Sequence, residues 1–308
     1  MLIVCWLSLL VEVRVIGRWG LWQLGYLMHL LNGLVLCFCL GVDITVCLAL
    51  FEAASLPLLG IVVYTGYTDR RLLAATLMAM VTVLGSGALL FGVAGYLSDV
   101  ANVLALTQSP LYYPSFVVLV LLSIWVYATK IPCYPVYVWL TEAHVEVSAE
   151  MSMILAGSVL KLGLVGCIKL VGAWHIGSGY QLALCIGLGY CTLGTALMTL
   201  LLVVDLKRML GFGSVWHSVL GLTVTQLDDE LLNRTMEGLC LVHGFLASSN
   251  FWWAGSHAEA CGCRIPHFMG PGYGFSCIRS LLVLTCLGYS VGHPYTTMMV
   301  VEIQSLTI

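Results

Sequence analysis

Apolar runs of nearly 20 residues follow one another along this chain, separated by short polar interruptions. A run of that length crosses a hydrocarbon core of ~30 Å as a single helix. The pattern predicts spans near 1–13, 22–41, 44–65, 72–97, 115–130, 148–172, 180–204, 209–225, 231–254 and 275–292, with the tail from Pro294 to Ile308 as a partial eleventh. A β-barrel would instead show short segments alternating with a period of two. The expected fold class is an all-α polytopic membrane protein of about ten to eleven transmembrane helices.

Proline and glycine break the apolar pattern in "TKIPCYPVYVWL", with Pro132 and Pro135, and again in "RIPHFMGPGYGF", with Pro266, Gly270, Pro271, Gly272 and Gly274. Proline removes a backbone donor and kinks a helix. Broken helices at matching positions of two halves are a mark of transporters built on inverted repeats. The chain then divides into a short N-terminal helix at 1–21, a first half at 22–172 and a truncated second half at 173–308.

Composition agrees with membrane residence. Only 9% of the 308 residues are charged, against about 25% in soluble domains, and the mean hydropathy is +1.01. The net charge of −3 and the lack of a basic patch interleaved with aromatics argue against a nucleic-acid partner. The N-terminal "MLIVCWLSLLVEVRVIG" has neither a basic n-region with a cleavage site nor the Arg-rich character of a transit peptide, so the chain is expected to insert as it is made. The 13 cysteines are scattered through apolar runs, where cysteine behaves as a small hydrophobe. Arg14, Arg18, Arg70, Arg71, Lys207, Arg208 and Arg264 fall in loops on one face. Asp43, Asp99, Asp228, Asp229 and Glu230 dominate the other, against Arg234 and Lys169. The positive-inside rule makes the first face the inner one, facing cytoplasm or matrix.

Several ionisable residues fall inside the spans. An intramembrane charge costs at least ~2.5–3.5 kcal/mol and is functional by default. Lys161 lies about ten residues from either end of its span, or ~15 Å at 1.5 Å per residue, too far for its stem to reach the interface. Glu52, in "LALFEAASLPLLG", is also near the centre of a span, and Pro57 after it loosens the local helix. Lys130 sits where its span ends before Pro132, and spacing alone fits an interfacial lysine as well as an intramembrane one. His217 and His243 lie in two later spans, and His29 in an earlier one. A lone membrane histidine more often bonds one helix to another than carries protons, but these groups together suit proton transfer. A carboxylate that approaches or leaves a buried lysine changes its proton affinity, and each pKa unit is worth 1.36 kcal/mol. Moving one charge against the membrane potential needs about 2.3 kcal/mol per 100 mV. Histidine is a natural relay between lysines.

The stretch "TKIPCYPVYVWLTEAHVEVSAEMSMILAGSVLKLG" resembles the chain 4 family of the proton-pumping NADH:ubiquinone oxidoreductase, respiratory complex I. That family has a lysine before Met-Pro, a Leu-Trp-Leu-Pro-x-Ala-His-Val-Glu loop and a Leu-Lys-Leu-Gly span. "FEAASLPLLG", "DLKRMLGFGSVWHS" and "LVHGFLASSNFW" resemble further family segments in the same order, so the likeness covers about residues 40–255. The resemblance implies an antiporter-like subunit of the membrane arm, with two inverted five-helix repeats that each contain one broken helix. It implies that Glu52 pairs with Lys130 at the break, that Lys161 is the central relay, and that His217 and His243 continue the path. It also implies neighbouring membrane-arm subunits and lipids as partners and the mitochondrial inner membrane as the location. No cofactor is expected in this chain; FMN, iron–sulfur clusters and ubiquinone are expected on other subunits.

The chain departs from the family pattern in places. Thr141 and Glu142 stand where the loop has Pro and usually Lys, and the family is longer at both ends. The second broken helix of the family carries a glutamate a few residues after its Pro-Gly, where this chain reads "GPGYGFSCIRSL" with Arg279 and no acid. Three readings follow: another acid such as Glu259 or Glu302 serves the outward exit, the register slips there, or this copy pumps poorly.

"HAEACGCRIPH" brings Cys261 and Cys263 near His257 and His267, but C-x-C lacks the usual zinc-site spacing and no metal is expected. The glycines of "IGSGY" and "GLGY" follow no strand and make no dinucleotide site, and there is no iron–sulfur cysteine run. Glu142, His144 and Glu146 read as a polar loop with a coupling or structural role. The preferred function is a proton-translocating complex I subunit that conducts protons from the matrix side through Lys130 and Lys161. A subunit of a multisubunit cation/proton antiporter and a degenerate scaffold without a complete path are the competing readings.

Overall fold

The computed structural model describes residues 22–41, 44–66, 68–100, 122, 125–174, 179–225 and 230–265. The expected spans at 1–13 and 275–292, the second Pro/Gly break, Arg279 and Glu302 lie outside these residues. Every regular element among the described residues is helical. Helix α1 runs Trp22–Leu40, α2 Ile44–Ala53, α3 Ser55–Thr65 and α4 Arg70–Val100. Trp22–Leu40, Val46–Thr65 and Ala149–Lys169 are each long and apolar enough to cross a membrane.

The expected span at 44–65 is one rod with a defect. A turn at Ala54 separates α2 from α3, three residues before Pro57. Proline has no N–H for the carbonyl four residues back and its ring crowds that carbonyl, here Ala53. The Ser55 hydroxyl donates to Glu52 O beside the break. Glu52 therefore sits in the last turn before a break, as its position ahead of Pro57 implied.

The break in "TKIPCYPVYVWL" is present. Residues 125–130 are helical, 131–137 form turns, and α5 resumes at Val138–Glu146. Pro132 and Pro135 lack the backbone N–H donors that a continuous helix would need there. The turn is tied down: Tyr134 N–H donates to Thr192 Oγ1 at 3.0 Å, and Trp139 Nε1 donates to Thr129 O across the gap at 3.0 Å. One expectation is corrected here. Glu142, His144 and Glu146 are not in a loop but on α5, with His144 fully buried and Glu146 buried. Trp139, Leu140, Ala143 and Val145 give this segment an apolar face to bury, which the polar letters between them obscured.

The lysine-bearing span begins as α6, Ala149–Ile154, passes through a π-helical turn at Leu155–Val159, and continues as α7, Leu160–Trp174. Beyond it lie α8, Gly179–Leu200, α9, Leu206–Thr225, and α10, Glu230–Cys261. α7 closes on the broken helix because Gly163 and Gly166 carry no side chain. A Cβ at Gly163 would lie 2.7 Å from Ile131 Cγ1 and 3.1 Å from Ile131 N, and one at Gly166 would land in the Tyr127 ring. Small residues at a helix contact are the usual route to close approach in membranes, where lipid is as apolar as leucine.

The polar ends fall as the charge rule requires. Thr68 donates to Glu146 Oε2, Arg208 pairs with Glu142, and Arg264 Nη1 donates to Val145 O at 2.9 Å. Lys207 Nζ reaches Val147 O at 2.8 Å, and Leu206 N–H bonds Arg264 O at 3.1 Å. The loops after α3 and α8, the end of α5 and the end of α10 thus share one face, the one the positive-inside rule assigns to the inside. Lys169, near the other end of α7, donates to Cys39 O at 3.0 Å and Gly41 O at 2.8 Å, and also to Phe38 O. It caps carbonyls that α1 leaves open at its C-terminus, where a cation is favoured. Glu259 lines an inner-face cavity of about 280 Å³ with Lys207 and Arg264.

Candidate functional site

Five helical segments converge on the centre of the fold and carry the expected groups. Lys130 ends the helical run before the break and is 3% exposed. Its Nζ lies 5.8 Å from the Phe51 ring centroid and 6.0 Å from that of Trp139, with no hydrogen-bond partner. Tyr127 packs edge-on to Phe51, centroids 5.0 Å apart, and closes the pocket from below. Glu52, the neighbour of Phe51, is the opposite charge acting on Lys130. The two are within electrostatic reach without forming an ion pair. A carboxylate that moved nearer would strengthen the lysine's hold on its proton.

Lys161 is 1% exposed, in the first turn of α7. The π turn before it explains how it is held. Leu160 N–H reaches back five residues to Leu155 O, so Ala156 O loses the donor an α-helix would give it. The Lys161 ammonium donates to Ala156 O instead. Single π turns inside helices are frequent at functional positions. A buried ammonium has three protons to place, and one carbonyl satisfies one of them.

His243 on α10 and His217 on α9 stand side by side, ring centroids 4.9 Å apart and planes at 44°. Both are buried, and Lys161 acts electrostatically on His243. Glu52 with Lys130, and Lys161 with the two histidines, thus form two groups that meet where Gly163 touches Ile131. All five predicted site residues are brought into one continuous core.

His144 was noticed in the sequence but placed outside the site. It is fully buried, its ring stacks on Phe251 at 4.3 Å, and neither ring nitrogen has a hydrogen-bond partner. Lys161 and Lys207 both act on it, so it stands between the central lysine and the inner face. Only its position on a helix, hidden by the loop reading, could have revealed this. Ser214 and Asn250 line the cavity beneath the histidine pair and had no distinguishing signal in the sequence. At the end of α10, Cys261 Sγ lies 3.9 Å from His257 Nε2, and Trp253 stacks on His257 at 5.5 Å.

Comparison with known proteins defines the class. The family model described as NADH:quinone oxidoreductase/Mrp antiporter, TM, matches residues 43–307, and the chain belongs to that family. Among curated relatives, the NADH-ubiquinone oxidoreductase chain 4 of Aedes aegypti is 30% identical over 225 residues, 70% of this chain and 48% of the relative. That of Mytilus edulis is 32% identical over 197 residues, 61% of this chain and 45% of the relative. The chain spans about half the length of the curated relatives it matches. Among solved structures, a chain of the archaeal membrane-bound sulfane sulfur reductase superposes with a TM-score of 0.80 at 18% identity, covering 92% of this chain and 59% of its own. A chain of respiratory complex I from Thermus thermophilus gives 0.73 at 22% identity, covering 96% and 63%. These two likenesses establish the fold.

Proposed function

We propose that this chain is a proton-translocating membrane-arm subunit of respiratory complex I in the mitochondrial inner membrane. The observation that carries the reading is the line from half-buried Glu52 through the buried Lys130 and Lys161 to His243 and His217, in a chain whose curated relatives are named NADH-ubiquinone oxidoreductase chain 4. In this reading the chain holds two inverted halves, 22–172 and 173–308, each with a broken helix, within about ten to eleven spans. The redox chemistry, with FMN, iron–sulfur clusters and ubiquinone, belongs to other subunits, and the neighbours of this chain are other membrane-arm subunits and lipids.

The chain's own part is to hold and move protons. Glu52 swings between pairing with Lys130 and leaving it. Pairing holds the Lys130 proton; separation frees it for exchange along the line of Lys161 and the two histidines. The apolar walls around both amines keep out bulk water, so each proton moves only along this line.

Purification of the chain with its native partners tests the proposal. We expect FMN and iron–sulfur clusters to co-purify, together with NADH-driven proton uptake into proteoliposomes that Lys130→Ala lowers. Cation-for-proton exchange in a preparation free of flavin would overturn it in favour of a multisubunit cation/proton antiporter. The fold also fits that alternative: a chain of the Mrp complex from a Dietzia species superposes with a TM-score of 0.75 at 17% identity.

A further inference from the structure

A cavity of about 160 Å³ lies between α9 and α10, lined by Met209, Gly213, Ser214, His217, His243 and Asn250 among others. At its inner end is Met209, in the first turn of α9, 37% exposed and one residue from the Arg208–Glu142 pair. At its deep end are the two histidines. His243 is 6% exposed, and its Nε2 has no hydrogen-bond partner. Four polar side chains face this space, and Asn250 among them is 5% exposed. Apolar cavities of this size stay dry, whereas polar ones with two to four partners hold ordered water. Nothing crowds the passage at its middle, for a Cβ on Gly213 would meet no atom within 4 Å. Lys130, by contrast, is enclosed by Phe51 and Trp139 at the break.

We infer that protons enter this subunit from the inner face through water held in the α9–α10 cavity, reaching His243 before either lysine, and that Asn250 is the positioning residue that orders this water. The inference rests on the proposed proton-translocating function and gives the line a direction: the histidine pair is the inlet, Lys161 receives from it, and Lys130 lies downstream. A hydronium in the cavity gives a proton to His243 Nε2 and becomes water. The imidazolium then gives up one proton to the neutral amine of Lys161, so charge and atoms balance at each transfer. Asn250 neither donates nor accepts the moving proton; its amide offers donor and acceptor sites that fix the water chain.

The test compares protons taken up per NADH oxidised, in proteoliposomes containing the whole assembled complex. Gly213→Leu plugs the cavity, Asn250→Leu removes the amide at similar volume, and Asn250→Ser keeps a hydroxyl. Gly194→Leu on α8, another position where a Cβ meets nothing within 4 Å, controls for added bulk on a helix, and Lys161→Met marks the full loss of this path. We expect Gly213→Leu and Asn250→Leu to lose the same share of proton uptake per NADH as Lys161→Met. Asn250→Ser should recover at least half of that share, and Gly194→Leu should keep all of it. Wild-type ratios in Gly213→Leu and Asn250→Leu beside a deficient Lys161→Met would overturn the inlet and leave the proposed function standing. A wild-type ratio in Lys161→Met would overturn the function itself. If Gly213→Leu does not assemble, the contrast between Asn250→Leu and Asn250→Ser decides alone: equal ratios refute the role of Asn250.

Discussion

The contact between α7 and the broken helix gives a sharp prediction for Gly163→Ala. In an open helix position, glycine to alanine gains roughly 1 kcal/mol from lower chain entropy in the unfolded state and better helix propensity. At Gly163 the new Cβ would sit 2.7 Å from Ile131 Cγ1 and 3.1 Å from a backbone nitrogen, against an optimum of about 3.5–4.0 Å between carbons. The helices must part by something near 1 Å, and backbone cannot rotate away as a side-chain tip can. Overpacking of this kind costs about 1–3 kcal/mol, so the substitution should be destabilising by up to ~2 kcal/mol net. Gly194→Ala, with open space around its Cβ, should be neutral or stabilising. Thermal inactivation midpoints of the two variants, measured side by side in one detergent, check this. Because Ile131 follows Lys130 and Gly163 is two residues beyond Lys161, Gly163→Ala should also weaken proton uptake per NADH, and Gly194→Ala should not. Equal midpoints and equal uptake for the two variants would refute the close approach and the geometry built on it.

Lys169→Leu removes the donor from three carbonyls at the end of α1. Hydrogen bonds to charged groups are worth ~1.5–3 kcal/mol, so the midpoint of thermal inactivation should fall while protons per NADH stay at the wild-type value. Trp139→Phe deletes the bond to Thr129 O across the break at a cost of about 1 kcal/mol; it should lower proton uptake more than stability, since the indole also covers Lys130, and parallel stability and uptake assays would show it. Glu142→Gln breaks a partly exposed pair with Arg208 that should be worth no more than ~1 kcal/mol, so denaturant unfolding of this variant should fall within error of the wild type at high salt.

Much of the membrane fold was legible because lipid imposes one rule on every segment: backbone polar groups must be satisfied within a helix. Eight of the expected spans overlap helical residues in the structure, and the first break follows from Pro132 and Pro135. The finer features escaped because they depend on partners distant in sequence. The helix at Val138–Glu146 shows too few apolar letters in a row to read as one, yet Trp139, Leu140 and Ala143 are buried by neighbouring helices. The π turn before Lys161 leaves no mark in composition. Lys130 was ambiguous by spacing, and only the structure shows its amine buried beside Phe51 and Trp139. His243 and His217 were legible as intramembrane histidines, but their pairing required the crossing of α9 and α10. Asn250 and Ser214 became candidates only through the cavity they line.

Lys161→Met gives the most direct test of the central claim, that a dry amine at the centre of α7 carries protons. An apolar side chain of similar length avoids the cost of burying an ammonium but leaves Ala156 O without its donor, a loss of about 1–3 kcal/mol, so the variant complex should assemble with thermal stability close to that of the wild type. Its proton uptake per NADH oxidised, measured in sealed proteoliposomes, should fall by the whole share that this subunit contributes. A Lys161→Met complex that assembles and moves the wild-type number of protons per NADH would contradict the account.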